Sequence, residues 1–283
     1  MSERLFEKAD GILDMRLREH YVVGHLKDST WLPFEHLDHS LNQLPAVPAT
    51  LFLVGAKEEI EEASILLDQK GYKVNGSLIL DSGNIGFWSH AMSASWEIGK
   101  HSKRLWQPAD IVQEWVDLYR PESDARLRVL DLGCGGGRDA VYLAKQRMDV
   151  IAIDQEARVL KRAKALAQAS GANVKFKCCD LTSPDCLPEG AFDLIVGVRF
   201  LKRDLLPNLI NKLNPNAYIV WQTFLEGAEK FGSPKNPNAL LKAGELAEVF
   251  AELEIIVDKI DKLHDGRPIN SFIAKANCDR RED

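Results

Sequence analysis

Between residues 127 and 154 the chain gathers side chains suited to holding a charged organic cofactor. An apolar stretch, LRVLDL, ends in Asp131-Leu132 and is followed by Gly133-Cys134-Gly135-Gly136-Gly137 and then RDAVYLAKQR. Glycines let a backbone turn sharply and approach a ligand, and the helix that follows offers free N–H groups to an anion. Asp154 closes the next apolar stretch, 23 residues after Asp131. A carboxylate there accepts both hydroxyls of a ribose. The dinucleotide fingerprint G-x-G-x-x-G fits poorly: counted from Gly133 it meets Arg138, and counted from Gly135 it needs Ala140 and shifts the loop into the helix. Asp131 is the discriminating residue. A carboxylate two positions before the first glycine repels phosphates and suits a cationic amino group.

These residues need a sheet to hold them, and the elements read accordingly. Strands are expected at 127–132, 149–153, 173–179, 192–198 and 217–223, with two more at about 254–260 and 269–275. Helices are expected after Gly137, at 204–213, and at 240–253. The pattern D-x-G-x-G-x-G, with an acid ending the second strand, resembles the class I S-adenosylmethionine-dependent methyltransferases. That resemblance covers about 170 residues and implies an α/β, Rossmann-like sheet of seven strands with an antiparallel end. It also implies S-adenosyl-L-methionine as cofactor. Asp131 then lies beside the methionine moiety, with Gly133, Gly135 and Gly137 forming the loop and Asp154 on the ribose. Asp180 and Leu181 fall near the adenine, and Val198 borders the methyl-transfer cleft. No metal site is expected.

The sulfonium carries its own activation, so the chemistry leaves few signatures and absences are informative. After the fourth strand stands Gly197-Val198-Arg199-Phe200, without the Asn/Asp-Pro-Pro-aromatic element of exocyclic-amine methylases. No Pro-Cys nucleophile follows either, so DNA is not an expected substrate. GRDAVYLA, RFLKRDLLPNLINKLNPNAYIVWQTFLEG and NALLKAGELAEVF resemble the TehB-like, tellurite/thiopurine-type branch. The resemblance implies a soft or anionic small-molecule acceptor. Arg199, His264 and Arg267 are the catalytic candidates, since an Arg and a His facing the cleft would neutralise an anionic nucleophile and move its proton. A simple turn of exposed polar residues at Asp265-Gly266 is the alternative for the last two. Of Arg199 and Arg203, one is expected to pair with an acid such as Asp204.

Upstream, GILDM and ATLFLV read as short buried strands, and Ile60, Ala63 and Leu67 mark a helix with acidic residues at 58, 59, 61 and 62. Tyr72–Val74 and Ser77–Leu80 are two further strand pieces. LDMRLREHYVVGHLKDSTWLPFEHL resembles the opening of a rhodanese-like domain through Asp14, Arg16, Glu19, Gly24-His25 and Pro33. Active members carry a persulfide-forming cysteine after the second strand, where this chain has Val54-Gly55-Ala56-Lys57. No thiolate nucleophile is available there. The segment is expected to be inactive in sulfur transfer and to serve binding or docking, with a protein partner as one option. Asp14, Arg16 and His25 also read as a buried polar network that fixes loops.

The 283 residues thus divide into a rhodanese-like domain (1–85), a Trp-rich connector (86–107) and a methyltransferase domain (108–277). The connector is expected to pack between the domains or over the second one, or to act as a lid. A helix from Pro108 should bury Ile111, Val112, Trp115 and Leu118. Fourteen acidic against eight basic residues lie in the first 90, which account for the whole net charge of −6. A basic nucleic-acid binder is excluded. No apolar run reaches the roughly 20 residues of a membrane helix, and the charged start MSERLFEKADG has no signal-peptide core, so a cytoplasmic protein is expected. Five cysteines without a C-x-x-C pair predict reduced thiols. A cofactor-binding adaptor without turnover, or methylation of a macromolecule chosen by the first domain, are the alternatives in function.

Overall fold

The computed structural model describes residues 5–81, 83–122 and 125–278. The first four residues of the charged N-terminus lie outside that range. The chain divides into two units, Met1–Gln107 and Pro108–Asp283.

The first unit contains β1 (Gly11–Asp14), α1 (Arg18–Val23), β2 (His25–Leu26), β3 (Ser29–Trp31), β4 (Ala49–Gly55), α2 (Lys57–Gln69), β5 (Tyr72–Ile79), α3 (Ile85–Ala91) and β6 (Trp96–Glu97). Four strands form a parallel sheet in the order β3-β1-β4-β5. The two strand pieces expected after α2 are one strand, whose register against β4 shifts at Leu51/Phe52. Ile60, Ala63 and Leu67 of α2 are buried, as their spacing requires. At the carboxyl end of β1 the Arg16 guanidinium donates to both Asp14 oxygens, at 2.8 and 2.5 Å, and to the Gly24 carbonyl at 2.8 Å. His25 stacks on Tyr21 with ring centres 3.8 Å apart. The loop after β1 is thus fixed by the paired Asp14 and Arg16, and His25 meets the Tyr21 carbonyl through Nδ1 while its buried Nε2 has no hydrogen-bond partner.

Residues 86–107 belong to this first unit rather than to a separate connector. Trp88 and Trp96 pack against its cluster of Phe6, Ile12, Leu26, Phe52, Val54, Leu78 and Leu80. Leu105 lies in the cluster on the sheet's other side. The expected cover over the second unit is therefore replaced, at these two indoles, by service to the first unit's own core. Apolar rings bury wherever a cluster is nearest, and sequence alone does not say which.

The second unit contains α4 (Asp110–Leu118), β7 (Arg128–Leu132), α5 (Arg138–Lys145), β8 (Asp149–Asp154), α6 (Ala157–Ala169), β9 (Val174–Cys178), β10 (Phe192–Val198), α7 (Leu206–Leu209), β11 (Leu213–Phe224), α8 (Glu245–Val249), β12 (Glu254–Lys262) and β13 (Pro268–Lys275). Seven strands run in the order β12-β13-β11-β10-β7-β8-β9. All neighbours are parallel except β13, which is antiparallel to β11 and β12. Chain order reverses direction between β7 and β10, which makes the carboxyl ends of those strands the switch point of an open α/β sheet. This is an α/β Rossmann-like fold. In α4, Ile111, Val112 and Trp115 are buried, but Leu118 is 69% exposed, because the helix ends there and its last turn leaves the sheet. Among the described residues no helix is long and apolar enough to cross a membrane.

Candidate active site

The glycine loop occupies the switch point. Gly133, Gly135 and Gly137 have φ of 68°, 51° and 78°, the left-handed region that costs a side-chain-bearing residue about 1 kcal/mol or more. Space is as restrictive as conformation. A Cβ on Gly133 would come within 2.5–2.8 Å of the Phe200 side chain, and one on Gly137 within 2.8 Å of Ala163 Cβ. The Cys134 N–H donates to the Ile153 carbonyl at 3.0 Å, which ties the loop to β8.

Three carboxylates converge on this loop. Asp131, at the end of β7, is 2% exposed and its Oδ2 has no hydrogen-bond partner. Burial first, then the negative charges of Asp139 and Asp154, hold its carboxyl well above the usual range. Asp154, ending β8, accepts from the Gly135 N–H at 2.9 Å through Oδ2 and from the Glu156 N–H at 2.9 Å through Oδ1. Asp139 accepts from the Ala109 N–H at 2.7 Å, and burial raises its carboxyl. Burial first, then the charges of Asp131 and Asp154, push the half-buried Cys134 thiol up, which disfavours a thiolate there.

Beyond β9, Asp180 accepts from the Thr182 N–H at 2.8 Å and lies 3.7 Å from Lys202 Nζ. The Thr182 bonds and then the Lys202 charge hold its carboxyl below the usual range. Leu181 packs on the main core cluster. Here the expectation of reduced thiols fails, because Cys179 and Cys186 form a disulfide. A loop of six residues returns the chain to within 5.9 Å, Cα to Cα, an ordinary disulfide span that spacing alone does not reveal. Cys134, Cys178 and Cys278 are free.

Beyond β10, half-buried Val198 pairs with Gln222 in β11. Arg199 has φ of 54°, unusual for a residue with a Cβ, and its N–H donates to the Gln222 carbonyl at 2.6 Å. Arg199 is exposed at the carboxyl end of β10, and its charge is among the causes that lower the Asp139 and Asp265 carboxyls. In the β12–β13 turn Arg267 donates to Asp265 at 2.8 Å and to the Ser233 carbonyl, and stacks 4.7 Å from the Phe224 ring centre. His264 is exposed in the same turn. Arg203 takes another role: it meets Glu245 at 2.5 Å and the Asn238 and Leu240 carbonyls, not Asp204. The early acid of α8 lies closer to its guanidinium fork than its own chain neighbour does.

Sequence reasoning missed Asp139, although an acid in the first turn after a glycine loop is a readable signal. It also missed Gln222, whose amide donates to Ser271 at 2.9 Å inside the sheet. A glutamine in the apolar run AYIVWQTF was the trace it left.

The arrangement fits the cofactor expected from the sequence. The orphaned, buried Asp131 oxygen suits an ammonium group, Gly133 and Gly137 leave no room for a Cβ, and Asp154 retains lone pairs for ribose hydroxyls. Residues 129–215 match the methyltransferase-domain family. A Schizosaccharomyces pombe protein described as uncharacterized is 25% identical, with 93% of this chain and 92% of that protein covered. The ubiquinone biosynthesis O-methyltransferase of Rickettsia akari is 23% identical over 49% of this chain and 62% of its own length, so the chain spans less than two thirds of that relative. Among solved structures, TehB from Haemophilus influenzae has a TM-score of 0.49 at 19% identity, covering 68% of this chain and 66% of TehB. Residues 129–215 of the second unit thus match a methyltransferase domain, and the site they hold fits S-adenosyl-L-methionine as cofactor.

Proposed function

We propose that the protein methylates a small-molecule acceptor bearing an anionic or soft nucleophile, in the manner of the TehB-like branch, and that Arg199 receives the acceptor. The observation that carries this reading is Arg199 itself. It is exposed in a left-handed conformation, φ of 54°, immediately after β10, at the carboxyl end of the sheet where the glycine loop also lies. Strained residues of this kind concentrate at working sites.

The bound cofactor supplies an electrophilic methyl carbon on a sulfonium centre. The chain's own residues do the rest. Asp131 holds the amino group, Asp154 the ribose, and Asp180 with Leu181 lies towards the adenine. Arg199 draws an anionic acceptor to the same end of the sheet and keeps its nucleophilic atom deprotonated by charge. Arg267, fixed by Asp265 and Phe224, borders the acceptor side. A thiol or oxyanion acceptor needs little more than this, because orientation and exclusion of water dominate direct methyl transfer.

The first unit is read as an inactive rhodanese-like module that docks a partner. Its parallel sheet, the Asp14–Arg16 pair and the cysteine-free Val54–Lys57 stretch support that reading.

Release of S-adenosylhomocysteine across alkyl and aryl thiols, tellurite and selenite tests the proposal. Turnover on at least one is expected, with Arg199→Ala lowering kcat/KM about 10- to 100-fold while cofactor affinity changes by less than about threefold. Turnover confined to RNA or protein would contradict the small-molecule acceptor. Unchanged kinetics in Arg199→Ala would contradict the residue's role.

A further inference from the structure

The carboxyl end of β9 holds a cluster of sulfur that the methyl-transfer reading does not use. Cys178 is the register partner of Asp154, and the Cys179 N–H donates to the Asp154 carbonyl at 3.2 Å. Cys179 is bonded to Cys186. Cys186 is 2% exposed and lies in the core cluster with Leu130, Leu132 and Ile153, on which Cys179 also packs. The disulfide therefore ties both ends of the 180–185 loop to the core beneath the cofactor loop. Lys177 adds a second clamp, its Nζ donating to the Asp185 and Cys186 carbonyls at 2.9 Å each. Between these anchors Asp180, Thr182, Ser183 and Asp185 are exposed, while Leu181 packs on the core.

We propose that Cys179 and Cys186 are a redox modification site: a dithiol reductant opens the loop that carries Asp180 and Leu181 and thereby weakens cofactor binding. The proposal rests on reading that loop as the adenine-side wall of the cofactor site. A reductant thiolate attacks the sulfur of Cys179, the more accessible of the two. The bond to Cys186 breaks, and its electron pair leaves on the Cys186 sulfur, which takes a proton. The second reductant thiol then attacks the mixed disulfide, freeing Cys179 as a thiol and leaving the reductant as an internal disulfide. The protein gains two electrons and two protons, and the reductant loses the same. Cys178 stands one residue away as an exposed free thiol outside the bond.

The effect on binding is entropic in origin. With the bond intact, the wall is ordered before the cofactor arrives. Once it is cut, the Lys177 bonds, the packing of Leu181 on the core and the Asp180–Lys202 pair hold the loop more loosely, and binding must order it further. Closure of the bond correspondingly preorganises the site next to Asp154.

The test uses the full chain oxidised in air, with the Cys179–Cys186 linkage checked by peptide mass spectrometry. S-adenosylhomocysteine is titrated by calorimetry before and after dithiothreitol. Reduction should weaken Kd about tenfold. Cys179→Ser should show the weak value under both conditions, and Cys186→Ser the same if it folds with a serine in the core. Cys178→Ser should keep the shift. Equal or tighter binding after reduction overturns the proposal, as does the absence of the linkage or loss of the shift in Cys178→Ser. Failure of the oxidised protein to bind at all contradicts the cofactor reading, and the redox proposal falls with it. Equal binding in both states contradicts the redox proposal alone.

Discussion

Asp131 is buried with an unpaired oxygen, and two further acids, Asp139 and Asp154, bear on it from α5 and β8. Without a cation in place, burial and repulsion favour its protonated form. The folded chain then keeps a proton that the unfolded chain releases near pH 4. A raised carboxyl contributes stability that is fully present below the unfolded pKa and is lost as pH rises through the folded one. Asp131→Asn removes this titration. The cofactor-free variant should melt about 3 °C or more above the wild type near pH 8 and equal it near pH 4, read by a scanning-fluorimetry pH series. Its affinity for S-adenosylhomocysteine should fall at the same time. A variant that melts below the wild type across the series would contradict the account. In the proposed site a cationic amino group would restore the charged form of Asp131, an interaction that a phosphate cannot make.

At the scale of elements, the site depends on the turn from β7 into α5. Gly133→Ala forces a side chain into a φ of 68° and onto Phe200. Cofactor affinity should drop at least tenfold, about 1.4 kcal/mol, while the melting temperature moves by only a few degrees. Gly133→Ala with Phe200→Ala should recover part of the affinity, because the collision is removed and only the backbone strain is left. Equal affinity in the single variant would place the cofactor elsewhere. Much of this framework was legible in the sequence because parallel strands buried on both faces read as continuous apolar runs. Phe192–Val198 is such a run, and its bounds match the expectation residue for residue. Helices were less legible. The helix expected over 240–253 is confined to Glu245–Val249, since Leu241 bridges to Leu225 and Gly244 turns left-handed at φ of 80°. Leu205, Leu206, Leu209, Ile210 and Leu213 are all buried, yet Leu213 already begins β11. Apolar spacing reports which residues face the core but not where a helix gives way to a strand. The Cys179–Cys186 bond was illegible for another reason: it depends on a loop returning to a strand end, and local spacing does not encode that return.

At the scale of the molecule, the two units have separate cores and unequal chemistry. The acidic excess falls in the first 90 residues, where Glu58, Glu61 and Glu62 line the exposed face of α2. The proposed cofactor residues all lie in the second unit, so net charge says little about the acceptor. The central claim is that the carboxyl ends of β7 and β8 form the cofactor site. Calorimetric titration of the full chain with S-adenosylhomocysteine, compared with Asp154→Ala, tests it most directly. The account predicts one site in the wild type and a loss of at least about 30-fold in affinity in a variant that still melts cooperatively. No binding by the wild type, or an unchanged Kd in Asp154→Ala, would contradict it.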